Sequence, residues 1–117
     1  MSQNKTTETQ NAAILEELMA QGDIEPREFA ELLLEREDEE ERELAVFLLE
    51  DCVAHGDTDA MVMLAKCCAL AHGMEHNAER AEALVSEAAE KGNYKARLLM
   101  HLINDWKGQK YIALWGL

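Results

Sequence analysis

Cys52, His55, Cys67, Cys68, His72 and His76 are the side chains of this chain whose types suit a metal ion. Zinc takes four Cys or His ligands at about 2.0 to 2.3 Å, and the spacing here works against convergence. If the segments on either side of Asp57 pair antiparallel, Cys52 stands opposite Val62, and Cys67 lies about 7 Å farther along at the helical rise. His72 and His76 are four residues apart, but Gly73 interrupts the helix between them, so both are expected on an exposed turn. A free cysteine is more often a small apolar core residue than a ligand. That is the expectation for all three thiols, with a small metal-binding protein as the less favoured alternative.

Catalytic signatures are missing. The chain holds no nucleophile elbow, phosphate-binding loop or metalloprotease helix motif. Its paired carboxylates sit in the run Glu35 to Glu43 rather than beside apolar groups that could raise a pKa. No enzyme activity and no cofactor are therefore expected. Met61, Met63, Met74 and Met100 could form a soft peptide groove, although methionine at helical spacing is more often core.

The elements that would position these residues are helical. One proline and six glycines occur in 117 residues, 48% of them apolar, and Ala, Leu, Glu and Met are abundant. The formal charge of −13, from 24 acidic and 11 basic residues, excludes nucleic acid as the main partner, because phosphate binding needs clustered cations. A basic protein or peptide suits the charge, while solubility alone explains it more simply. An odd number of cysteines with an adjacent pair is no disulfide framework, which points to a reducing, cytoplasmic compartment. Residues 1–10 are polar, with neither a signal sequence nor a membrane span, and read as a disordered leader.

An internal echo organises the rest. Gly22, Gly56 and Gly92 lie 34 and 36 residues apart, and each follows a matched apolar pattern: Leu15 with Leu18, Leu49 with Cys52, Val85 with Ala88. After them Pro26, Ala60 and Ala96 open a helix, followed by Phe29, Met63 and Leu99. A period of this size marks a stacked repeat whose units bury their apolar faces on one another. The predicted helices cover 11–21, 26–34, 41–55, 58–72, 78–91 and 93–106, with Gly22, Gly56, Gly73 and Gly92 at the turns. Segment 58–72 is apolar on most sides, so it belongs in the middle of the stack. The tract 35–43 reads as a solvated connection.

From Ala60, Leu64 and Ala65, through the glycine turn Gly73 to Asn77, to Glu79-Arg80-Ala81, Leu84, Ala88-Ala89-Glu90-Lys91-Gly92-Asn93 and Ala96, the chain resembles the Sel1-like repeat, a relative of the tetratricopeptide repeat. The match covers about 48–103. Cys67-Cys68 stands where the family usually carries a tyrosine-containing segment, and 26–34 lacks a terminal glycine. The resemblance implies an all-α fold, an α/α solenoid of antiparallel helix pairs wound as a superhelix over 11–108, and an adaptor that binds proteins or peptides. It also implies that 58–72 and 93–106 line the concave side. Met61, Val62, Lys66, Tyr94, Arg97, Leu98 and His101 are the candidate partner-binding residues there. The apolar tail 109–117 is expected to cap helices 78–91 and 93–106 or to self-associate through Tyr111, Ile112, Leu114 and Trp115. The alternative is a structural segment of a longer solenoid.

Overall fold

The structure, a computed structural model, describes residues 24–106 together with Glu17, Ala20, Gly22 and Trp115. Among the described residues the chain is all-helical: α1 (Pro26–Leu34), α2 (Glu39–Ala54), α3 (Thr58–Leu70), α4 (Ala78–Glu90) and α5 (Tyr94–Trp106). Each helix packs on the one before it and the one after it. The leader, the predicted helix over 11–21, and Tyr111, Ile112 and Leu114 fall outside the described residues, apart from Glu17 and Ala20.

Two helix-ending turns are built alike. At the end of α2 the Gly56 N–H donates to Val53 O (2.9 Å) and the Asp57 N–H to Cys52 O (3.1 Å). At the end of α4 the Gly92 N–H donates to Ala89 O (3.0 Å) and the Asn93 N–H to Ala88 O (3.0 Å). Both are Schellman closures, which need a left-handed residue just past the helix, and the glycines supply it at φ 86° and 97°. The residue after each glycine then starts the next helix. Asp57 accepts from the Ala60 N–H, and Asn93 from the Ala96 N–H, each at 3.0 Å.

Two boundaries differ from expectation. The tract 35–43 is not a solvated connection throughout, because Asp38 caps α2 by accepting from the Glu41 N–H (3.0 Å), and Glu39, Glu40 and Glu41 form its first turn. Acidic side chains there meet the positive end of the helix dipole, so the charge run starts the helix early. The second concerns the end of α3, which stops at Leu70 because Ala71 itself turns left-handed at φ 58°. Gly73 has another duty: a Cβ there would strike the backbone of Arg42 and Glu43, lying 2.8 Å from the Glu43 nitrogen. Its missing side chain lets the α3–α4 connection lie on the start of α2.

The core is centred on α3. Ala60, Leu64, Ala65 and Cys68 of α3 are fully enclosed, facing Ala45 and Leu49 of α2 and Ala81, Val85 and Ala88 of α4. Burying a leucine completely is worth roughly 1.5 to 3 kcal/mol. The alanines let neighbouring helices approach. Cys52, Cys67 and Cys68 are free, buried thiols. Burial, then the neighbouring Cys68, pushes the Cys67 thiol up to about 12. No helix among the described residues is long and apolar enough to cross a membrane.

Candidate interaction surface

The N-terminal ends of α1, α3 and α5 are tied side by side. Arg27 Nη1 of α1 donates to Asp57 Oδ1 (3.0 Å) and to Asp59 Oδ2 (3.2 Å). From the opposite side Asn93 Nδ2 donates to Asp59 Oδ1 (2.8 Å) and Thr58 Oγ1 (3.1 Å). Asp59 thus joins residues 32 positions before it and 34 after it, close to the spacing of the glycines. Burial disfavours the Arg27 charge, but Asp57 and Asp59 outweigh it and hold its pKa above the ordinary value. A second row repeats the device, with Arg80 Nη1 of α4 donating to Glu50 Oε2 of α2 at 3.0 Å. These pairs are part-buried at the surface, where an ion pair is worth on the order of 1 kcal/mol, so they set register more than stability.

Alignment of every second helix opens a trough along α3. Its first compartment, about 460 Å³, is bounded by Arg27 and Glu31 of α1, Val62 and Met63 of α3, and Lys95 and Leu99 of α5. Its second, about 370 Å³, extends to Leu34, Leu70, Cys67 and His72. Glu31, Met63, Lys66 and Trp115 border both, so the two compartments adjoin. Trp115 is 1% exposed. It borders the trough together with residues of α1, α3 and α5; the rest of the tail, on which the expected cap over 78–91 and 93–106 falls, lies outside the described residues.

The trough is electrically unlike the rest of the chain. Among the described residues of its walls, Arg27, Lys66 and Lys95 balance Glu31, Glu35 and Asp59, whereas the whole chain carries −13. His72 at one end is held below its ordinary value, first by burial and then by Arg42 and Lys66, and so stays neutral at pH 7.

The expected partner-binding residues divide into three groups. Met61 and Val62 belong to the core, at 1% and 8% exposure, because α3 is covered on both sides and presents only an edge of Val62 to the trough. Lys66 is half-buried on the trough wall. Tyr94 and Leu98 are exposed at 74% and 60%, with Arg97 and His101 beside them. They form an outer stripe of α5 apart from Lys95 and Leu99. Arg27, Glu31, Lys95 and Leu99 were not among the candidates, Met63 was weighed only as a groove methionine, and Trp115 only for a cap or self-association. The signal for two of them was in the register, since Met63 and Leu99 hold the same offset after Gly56 and Gly92.

Among the described residues no three His, Cys, Asp or Glu side chains are placed to share a metal ion. Compared with known protein families, curated proteins and solved structures, the chain matches none.

Proposed function

We propose that the chain is a protein–protein interaction module without catalysis, a Sel1-like, tetratricopeptide-like stack whose recognition face is the row α1, α3 and α5. The observation that carries this is Asp59 holding Arg27 and Asn93 on either side, which aligns every second helix along one trough. The Sel1-like positions fit: Ala60, Leu64, Ala65, Ala81, Ala88 and Ala96 are fully enclosed, and Gly92 closes its helix. In such a stack α2 and α4 form the outer row and α1, α3 and α5 the concave one. A partner peptide would lie along α3, its apolar side chains against Met63, Leu70 and Leu99. Balanced charge in the trough favours an apolar segment over the basic one that the overall charge suggested.

Selection from a random peptide library tests this. Peptides enriched on the unaltered chain should be lost on a folded Met63→Lys, Leu99→Glu double variant, which places charge on the trough walls. Enrichment that survives in the double variant, or no enrichment at all, contradicts the proposal. The exposed Tyr94 and Leu98 stripe supports a second reading, a stretch of a longer solenoid in which a further helix covers α5.

A further inference from the structure

We infer that the chain binds a second copy of itself head to tail, the outer face of α5 on one copy docking against the outer face of α1 on the next. Four large apolar side chains are exposed among the described residues. One, Phe47, is on α2; the others are Leu32 of α1, 53% exposed, and Tyr94 and Leu98 of α5. The two end faces carry opposite charge. On α1, Glu25, Glu28, Leu32 and Glu35 recur at intervals of three and four and are all exposed, so they form an acidic stripe with an apolar centre. On α5, Tyr94, Arg97, Leu98 and His101 form an exposed stripe at the same spacing, with Lys91 at the turn before it. The wider segments agree, since residues 25–43 hold ten carboxylates and three cations, and residues 91–106 one carboxylate and three cations. Among the described residues Glu25, Glu28 and Glu35 make no ion pair, and the Arg97 guanidinium donates to Ala89 O (3.4 Å) and to no carboxylate.

Within one chain the two faces cannot meet, because α1 and α5 flank α3, with Arg27 and Asn93 reaching Asp59 from opposite sides. Leu32 lies off the core side of α1, which carries Ala30 and Leu33, and off the trough side, which carries Arg27, Glu31 and Leu34. Tyr94 and Leu98 likewise lie off the buried Ala96 and Ile103 and off Lys95 and Leu99 of the trough. Two copies bring the faces together. Each contact then buries apolar centres within a rim of opposite charge, and matched charge selects this partner and this register. Opposite charge already joins members of this row inside the chain, where Arg27 of α1 meets Asp59 of α3 at 3.2 Å. The net charge of −13 opposes association mainly at long range; at physiological salt the screening length is about 8 Å, so the facing stripes decide. Because the two faces differ, a dimer leaves one of each free, and association continues with concentration.

Sedimentation equilibrium of the full-length chain, from about 10 μM to about 1 mM, reads the association. At about 0.15 M NaCl the mean mass should rise with concentration past that of a dimer, and it should fall back toward the monomer at about 0.6 M, where the screening length is about 4 Å. Leu32→Lys puts a cation on the α1 face and Leu98→Glu a carboxylate on the α5 face. Each alone should weaken self-association at least about tenfold. An equimolar mixture of the two should restore it, because the α5 face of the first and the α1 face of the second are intact. Circular dichroism checks the fold of each variant; should one not fold, Glu28→Lys or Tyr94→Glu takes its place at an exposed position on the same face. A monomer at every concentration, or a mixture no more associated than its components, would overturn the head-to-tail contact. So would undiminished association of Leu32→Lys, which would mean that α5 meets α5, or association that strengthens with salt. Both faces lie outside the trough, so peptide binding there is tested separately and stands or falls on its own.

Discussion

Replacing Asn93 separates what a helix cap contributes from what the alignment of alternate helices contributes. Its Oδ1 accepts from the Ala96 N–H at 3.0 Å, while its Nδ2 donates to Asp59 at 2.8 Å and Thr58 at 3.1 Å. A lost cap costs about 1 kcal/mol, and a hydrogen bond to a carboxylate adds about 1.5 kcal/mol or more. Asn93→Ala should therefore lower stability by about 2 to 3 kcal/mol. Asn93→Asp keeps the cap and is the residue found at the equivalent Asp57, yet it sets a second carboxylate against Asp59. It should cost about 1 to 2 kcal/mol at neutral pH through repulsion and a lost donor, and the deficit should narrow as acid neutralises the introduced group. Urea unfolding followed by circular dichroism gives both values, provided the slope with denaturant is unchanged. If Asn93→Asp is as stable as the unaltered chain across that pH range, the bridge through Asp59 does not hold α3 and α5 in register.

Other outcomes follow from the same geometry. Gly73→Ala should be clearly more damaging than Gly56→Ala: both lose a left-handed backbone at about 1 kcal/mol, but only at Gly73 does the added methyl meet backbone, whereas at Gly56 it meets open space. Equal unfolding midpoints would refute the contact with Arg42. Because burial raises the Cys67 thiol to about 12 and encloses Cys52 and Cys68 as well, iodoacetamide at pH 8 should label the folded chain far more slowly than the chain in urea. Fast labelling of all three thiols would place them outside the core. His72 is held below its ordinary value of 6.5, so the unfolded chain binds its proton more readily; stability should fall as pH drops through about 6.5 and the slope should shrink in His72→Gln. An unchanged slope would mean that His72 is solvated.

Much of the helical plan was legible in the sequence, because local signals and burial agree. Gly56 with Asp57 and Gly92 with Asn93 stop one helix and cap the next within three residues, and the apolar stripes of α2 and α4 face inward as their spacing requires. Charge misled at Glu39 to Glu41, where like charges favour a helix start because the dipole outweighs their repulsion. Met61 and Val62 could not be assigned to core or surface from periodicity, since α3 is apolar on nearly every side and only its neighbours decide which edge stays open. The trough was harder still. Its walls come from three helices about 30 residues apart in sequence, and Arg27, Asp59 and Asn93 hold them together through long-range side-chain bonds that no local pattern announces. Trp115 showed its apolarity but not that it would border the trough.

The central claim is that alternate helices form one recognition face. Amide and methyl NMR shifts of the full chain, recorded while a library-selected peptide is added, test it most directly. The account predicts that shifts concentrate at Glu31, Met63, Lys66, Leu99 and Trp115, with Phe47 and the outer surfaces of α2 and α4 unmoved. Saturable binding whose shifts map instead to α2 and α4, or to the Tyr94 and Leu98 stripe alone, would contradict it.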